Sequence, residues 1–136
     1  MLRWFDALPE DQVFLSALTI GEIQKGADLL ETGERQARID QWLRVLLTQF
    51  GDRILPVDVA VARRWGAMTA SGQQVGRVPP PIDALIAATA LVHGLTVATP
   101  NVADFTGTGA SILNPWTLKE PANDPDAPRS PRRRRR

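Results

Sequence analysis

Three acids carry the chemical potential of this sequence: Glu22, Asp83 and Asp104. Each stands where an α/β fold gathers reactive groups, after a strand or in the first turn of a helix. Glu22 follows the apolar run Val13-Phe14-Leu15-Ser16-Ala17-Leu18. Asp83 sits just inside a helix that Pro81 is placed to begin. Asp104 closes the stretch Thr99-Pro100-Asn101-Val102-Ala103-Asp104, directly after a β-rich segment. Carboxylates collected in one place repel one another, and a hard divalent cation such as Mg²⁺ or Mn²⁺ relieves that repulsion. Such an ion keeps several waters and leaves positions open for phosphate oxygens, which suits activation of water for phosphodiester hydrolysis.

Little else in the chain competes for that chemistry. There is no cysteine and one histidine, so thiol nucleophiles, disulfides and Cys/His zinc sites are excluded. A Ser-His-Asp arrangement has only His93 to draw on, and that residue stands at a helix end beside Gly94. Each acid also has a structural alternative at this point. Glu22 has capping-box spacing from Thr19. Asp83 suits the positive end of a helix dipole. Asp104 could cap a turn beside Asn101. Asp58 reads as a helix N-cap and no more.

The elements that must position these acids follow from periodicity. Residues 13–18 read as a buried strand, and Thr19 opens a helix that ends near Gly33. Residues 34–50 form a second helix whose core stripe is Ile39, Trp42, Leu43, Leu46 and Phe50. Residues 53–57 are a short strand or extended connector, and Asp58 starts a helix carrying Val59, Ala62, Trp65 and Met68. A loop from Gly72 to Pro81 leads into the helix 82–93, whose alanines permit close packing. Segments 95–99 and 111–114 read as strands. Strand and helix alternate, which argues for an α/β sandwich with a short, mostly parallel sheet and helices on both faces.

The net charge of +1 conceals a division. Residues 1–116 carry 9 basic and 12 acidic side chains, whereas residues 117–136 carry 7 and 3. The second segment holds four of the eleven prolines and ends in five arginines. The chain therefore divides into one domain, 1–116, and a basic tail, 117–136, expected to lack regular structure. No apolar run approaches the ~20 residues that span a bilayer, and there is no signal-peptide pattern, so a cytoplasmic protein is expected.

At Pro80-Pro81-Ile82-Asp83-Ala84-Leu85-Ile86-Ala87-Ala88-Thr89-Ala90 the sequence resembles a PIN domain of the VapC/FitB type, the toxins of bacterial toxin–antitoxin pairs. Thr19-Ile20-Gly21-Glu22-Ile23 resembles the family's acidic helix start. His93-Gly94-Leu95-Thr96-Val97-Ala98-Thr99, with Asn101 to Phe105, resembles its fourth-strand segment and final acid. Gly107 to Trp116 resembles its closing strand, so the likeness spans residues 1–116. It implies a Mg²⁺-dependent endoribonuclease, homodimeric and silenced by a cognate antitoxin, with Glu22, Asp83 and Asp104 as catalytic and metal-site acids.

Two departures accompany the likeness. The family opens with a central strand ending in Asp-Thr-Asn, whose Asp is a metal ligand, and that motif is missing here. Pro100 stands where these toxins often carry arginine. A second reading is therefore an inactive truncated remnant that binds antitoxin or toxin without cleaving RNA. A third makes the arginine run 132–136 a nonspecific nucleic-acid tether. The nuclease reading requires the three carboxylates to converge within about 10 Å, a range one hydrated ion can bridge. It also requires at least one of them to hold its proton unusually tightly.

Overall fold

The computed structural model describes residues 8–115. Trp4, Trp116 and the 117–136 tail fall outside that range. Helix α1 spans Ala17–Leu29 and begins earlier than the capping-box spacing predicts. Ser16 is its N-cap, with Oγ accepting the Leu18 N–H at 3.0 Å. The strand expected over 13–18 shrinks to β1, Leu15–Ser16, because the chain turns helical as soon as Ser16 can cap it. Glu22 thus lies beyond the first turn, on an exposed face, and caps nothing. Helix α1 stops at Leu29, short of Gly33.

Helix α2, Glu34–Phe50, matches its predicted bounds, packs against α1 and buries Leu43. Trp42 departs from the predicted core stripe and is 52% exposed. It precedes Leu43 by about 100° of helical rotation, and the face it occupies turns outward. Arg53 then ties the chain back on itself. Its Nη1 donates to the carbonyls of Glu10 and Val13 at 2.6 and 2.8 Å, Nη2 donates to Gln49 O at 3.1 Å, and the guanidinium lies over the Phe50 ring. Arg53→Ala should lower stability by about 1.5–3 kcal/mol, read from the urea midpoint, because charge-assisted bonds to three carbonyls disappear together. An unchanged midpoint would show that segment 10–13 is held by packing alone.

Asp58 is the N-cap it was expected to be: its Oδ1 accepts the Val61 N–H at 3.0 Å and starts helix α3, Val59–Gln74. The chain leaves α3 through a tight return. The Arg77 N–H donates to Gly72 O at 2.8 Å, and a Cβ on Gly72 would stand 2.5 Å from the Arg77 carbonyl oxygen. Glycine there lets residues 75–80 fold against the helix end and deliver Pro80 and Pro81 to the start of α4. Helix α4, Pro81–His93, has proline at its first position and ends at Gly94 in a left-handed conformation (φ 68°).

The main core lies where α3 meets α4. Val61, Met68, Ala84, Ala87, Ala88 and Ala90 are buried there with Val97 and Phe105, and Trp65 packs at its edge. Strand β2, Ile54–Leu55, pairs with β1 in parallel, Leu15 opposite Ile54. Strand β3, Val97–Ala98, pairs in parallel with β4, Ile112–Leu113. Parallel neighbours need a crossover, supplied by α1 and α2 in the first pair and by α5, Val102–Phe105, in the second. The fold is a mostly helical α/β arrangement with short parallel strands.

Those strands do not form a single hydrogen-bonded sheet among the described residues; they stand as two pairs. A cavity of about 570 Å³ touches both pairs, with Leu15, Ser16, Val97 and Ala98 on its walls and Ile86 and Thr89 of α4 beneath. The Val97 and Thr99 N–H groups donate to Ser111 O and Leu113 O. The Ala98 N–H therefore points to the opposite edge of β3, since successive amides alternate. Among the described residues that edge of β3 is unpaired, and the groove runs beside it between the two strand pairs.

Candidate active site

Asp83 enters the site from the first turn of α4, third in the helix and half-buried. A helix start favours a carboxylate, yet Asp83 holds its proton more tightly than an ordinary aspartate. Burial raises its pKa most, followed by the negative charge of Asp104 and then that of Glu22. Three elements distant in sequence, α1, α4 and α5, thus bring their acids into one electrostatic neighbourhood. The expectation that at least one of the three holds its proton unusually tightly is met at Asp83.

The grouping is loose. Among the described residues no three His, Cys, Asp or Glu side chains are gathered closely enough to hold a metal ion directly. Glu22 and Asp104 are both exposed. A donor set of hard oxygens with room between them fits a hydrated Mg²⁺ or Mn²⁺, which binds through one or two carboxylates and retains its other waters. It does not fit a caged ion, and it lacks the nitrogen or sulfur donors that zinc selects.

Asp104 is held by short-range backbone order. Thr99, buried at the end of β3, accepts the Asn101 N–H on its Oγ1 at 3.0 Å. Asn101 O in turn accepts the Asp104 N–H at 3.2 Å. On the other side, Phe105 is 4% exposed in the core, and the Thr108 hydroxyl donates to Phe105 O at 2.7 Å. Sequence reasoning overlooked Thr99, although a threonine two residues before a turn amide carries the signal. His93 is exposed at the far end of α4 from Asp83. The exposed acids and the half-buried Asp83 leave the site open to a polyanionic ligand.

The profile of the PIN domain matches residues 1–104, a range that includes all three acids. Toxin FitB of Neisseria gonorrhoeae is 34% identical over 117 residues, covering 85% of this chain and 84% of its own. The chain belongs to the PIN-domain family, among its VapC/FitB-type members. VapC ribonuclease Y4jK of Sinorhizobium fredii is also 34% identical, over 123 residues, 90% of this chain and 86% of that protein. FitAcB from Neisseria gonorrhoeae superposes on the PIN domain with a TM-score of 0.81 at 35% identity, covering 86% of this chain and 85% of that one. FitAB bound to an IR36 DNA fragment gives 0.80 at 32% identity, covering 88% and 84%. VapBC-1 of nontypeable Haemophilus influenzae, at 22% identity and 0.65, shares the fold, with 82% of this chain and 81% of that one covered.

Proposed function

We propose that this PIN domain is a divalent-cation-dependent endoribonuclease, the toxin of a type II toxin–antitoxin pair. The observation that carries the reading is the raised proton affinity of half-buried Asp83, to which the charges of Asp104 and Glu22, borne on separate elements, both contribute. Asp83, Asp104 and Glu22 would hold Mg²⁺ or Mn²⁺, largely through water. The ion would supply a more acidic water and neutralise phosphate charge. The carboxylates orient that water shell and leave a face open for the RNA backbone. A cation would bind Asp83 in its carboxylate form and so oppose the raised proton affinity of that residue. An RNA substrate, a cognate antitoxin, a homodimeric assembly and a cytoplasmic setting belong to the same proposal. The kinship with VapC ribonuclease Y4jK and with the FitAB complexes supports the substrate and the antitoxin. No helix among the described residues is long and apolar enough to cross a membrane.

The loose spacing of the acids favours a second reading, in which the domain binds antitoxin and cleaves nothing. The two separate in one assay. Purified protein incubated with a mixed RNA pool should produce cuts with Mg²⁺ or Mn²⁺ and none with EDTA, and antitoxin should suppress them. Antitoxin binding without cation-dependent cleavage would replace the nuclease reading with the second.

A further inference from the structure

We propose that Thr99 is a positioning residue for the metal site, acting through the backbone that carries Asp104. The inference rests on the acidic-site reading and deepens it. The three acids differ in how firmly their own elements hold them. Glu22 lies within the 13-residue α1 and Asp83 within the 13-residue α4, both long enough to keep a side chain in place even if an end frays. Asp104 rides on α5, four residues long, whose N-cap Asn101 makes no side-chain capping bond. So short a helix cannot hold itself and takes its direction from what flanks it. Phe105 anchors one end in the core. At the other end the order runs from β3 through Thr99. Its N–H is fixed to Leu113 O at 2.9 Å, its hydroxyl accepts the Asn101 N–H, and Asn101 O accepts the Asp104 N–H.

Ser16 provides the contrast. It is also a buried hydroxyl at a strand end, and its Oγ likewise accepts an N–H two residues on. Yet it caps a long helix, so its loss should affect stability and leave the place of Glu22 unchanged. The two hydroxyls therefore separate a positioning role from a structural one.

The test uses Mn²⁺ alone as probe, titrated calorimetrically into wild type, Thr99→Val, Thr99→Ser and Ser16→Ala. Thr99→Val keeps the shape and removes the acceptor; it should weaken Mn²⁺ binding about tenfold, as loss of outer groups that orient ligands does. Thr99→Ser should restore affinity, and Ser16→Ala should melt earlier yet bind Mn²⁺ as wild type does. Wild-type affinity in folded Thr99→Val, failure of serine to rescue, or an equal loss in Ser16→Ala would overturn the proposal. If wild type takes up no Mn²⁺, the acidic-site reading itself fails, and Thr99 is judged on the metal-free protein. There the Asp104 amide should exchange about fivefold faster in Thr99→Val than in wild type or Thr99→Ser. Unaltered exchange would show that Thr99 does not hold this turn.

Discussion

Asp83→Asn should cut cation-dependent RNA cleavage by about 10³-fold and raise the melting temperature at neutral pH. Both effects have one cause. Folding half-buries Asp83 and places it in the field of Asp104 and Glu22, so its carboxyl takes up a proton at higher pH than the ordinary 3.8. Between those two pKa values the folded chain binds more protons than the unfolded chain, and stability falls as pH rises through that window. Above the window the penalty is constant; below about 3.8 it vanishes. Asparagine has no charge to desolvate or repel, so its advantage should be present at about pH 7 and lost at about pH 3. The same change removes a ligand worth several kcal/mol of charge stabilisation, and cleavage should drop about 10³-fold. Mg²⁺ should raise the melting temperature of wild type and leave that of Asp83→Asn unmoved. Melts at both pH values, with EDTA or Mg²⁺, and RNA cleavage by both proteins form one experiment. Cleavage by Asp83→Asn within tenfold of wild type would remove this residue from the site.

Ala87→Leu should be the most damaging single change in the described core. Ala84, Ala87 and Ala88 are 0% exposed, and across from them Val61 is fully buried beside Met68. The α3–α4 approach is close because α4 presents methyl groups there. A leucine adds three carbons with nowhere to go, and overpacking of this kind costs typically 1–3 kcal/mol. In a domain of about 100 residues each kcal/mol moves the melting temperature roughly 4–8 °C, so a fall of about 5–20 °C is expected. Because Asp83 is one turn away on the same helix, RNA cleavage should fall as well. Ala60→Leu, on the exposed side of α3, is the control and should stay within about 0.5 kcal/mol of wild type. Similar melting of Ala87→Leu and wild type would mean that the two helices can separate at little cost.

Helix boundaries were legible wherever one residue decides them locally. Asp58 caps α3, Pro81 starts α4, Gly94 ends it, and the apolar period of 34–50 marks α2, because capping and backbone preference act over a few neighbouring residues. The start of α1 was misread because Ser16 and Thr19 are both competent caps, and the choice between them depends on where β1 stops pairing with β2. Trp42 was misplaced because periodicity marks an apolar stripe but not its centre.

The acids divide along the same line. Their identity and order, Glu22, Asp83 and Asp104, could be read from residue types and from the elements that carry them, and the family was visible in linked local motifs. Sequence by itself also determined that oxygen ligands are the donors to hand, since cysteine is absent and histidine occurs once. Only the tertiary structure decided that the charges of Asp104 and Glu22 bear on Asp83, that the Thr99 hydroxyl accepts the Asn101 N–H ahead of α5, and that the strands among the described residues meet as two pairs. The reason is one of range. A cap or a periodic stripe is settled by neighbours within a turn or two of chain, whereas strand pairing and a carboxylate's proton affinity depend on groups up to about sixty residues away, brought close by the tertiary fold.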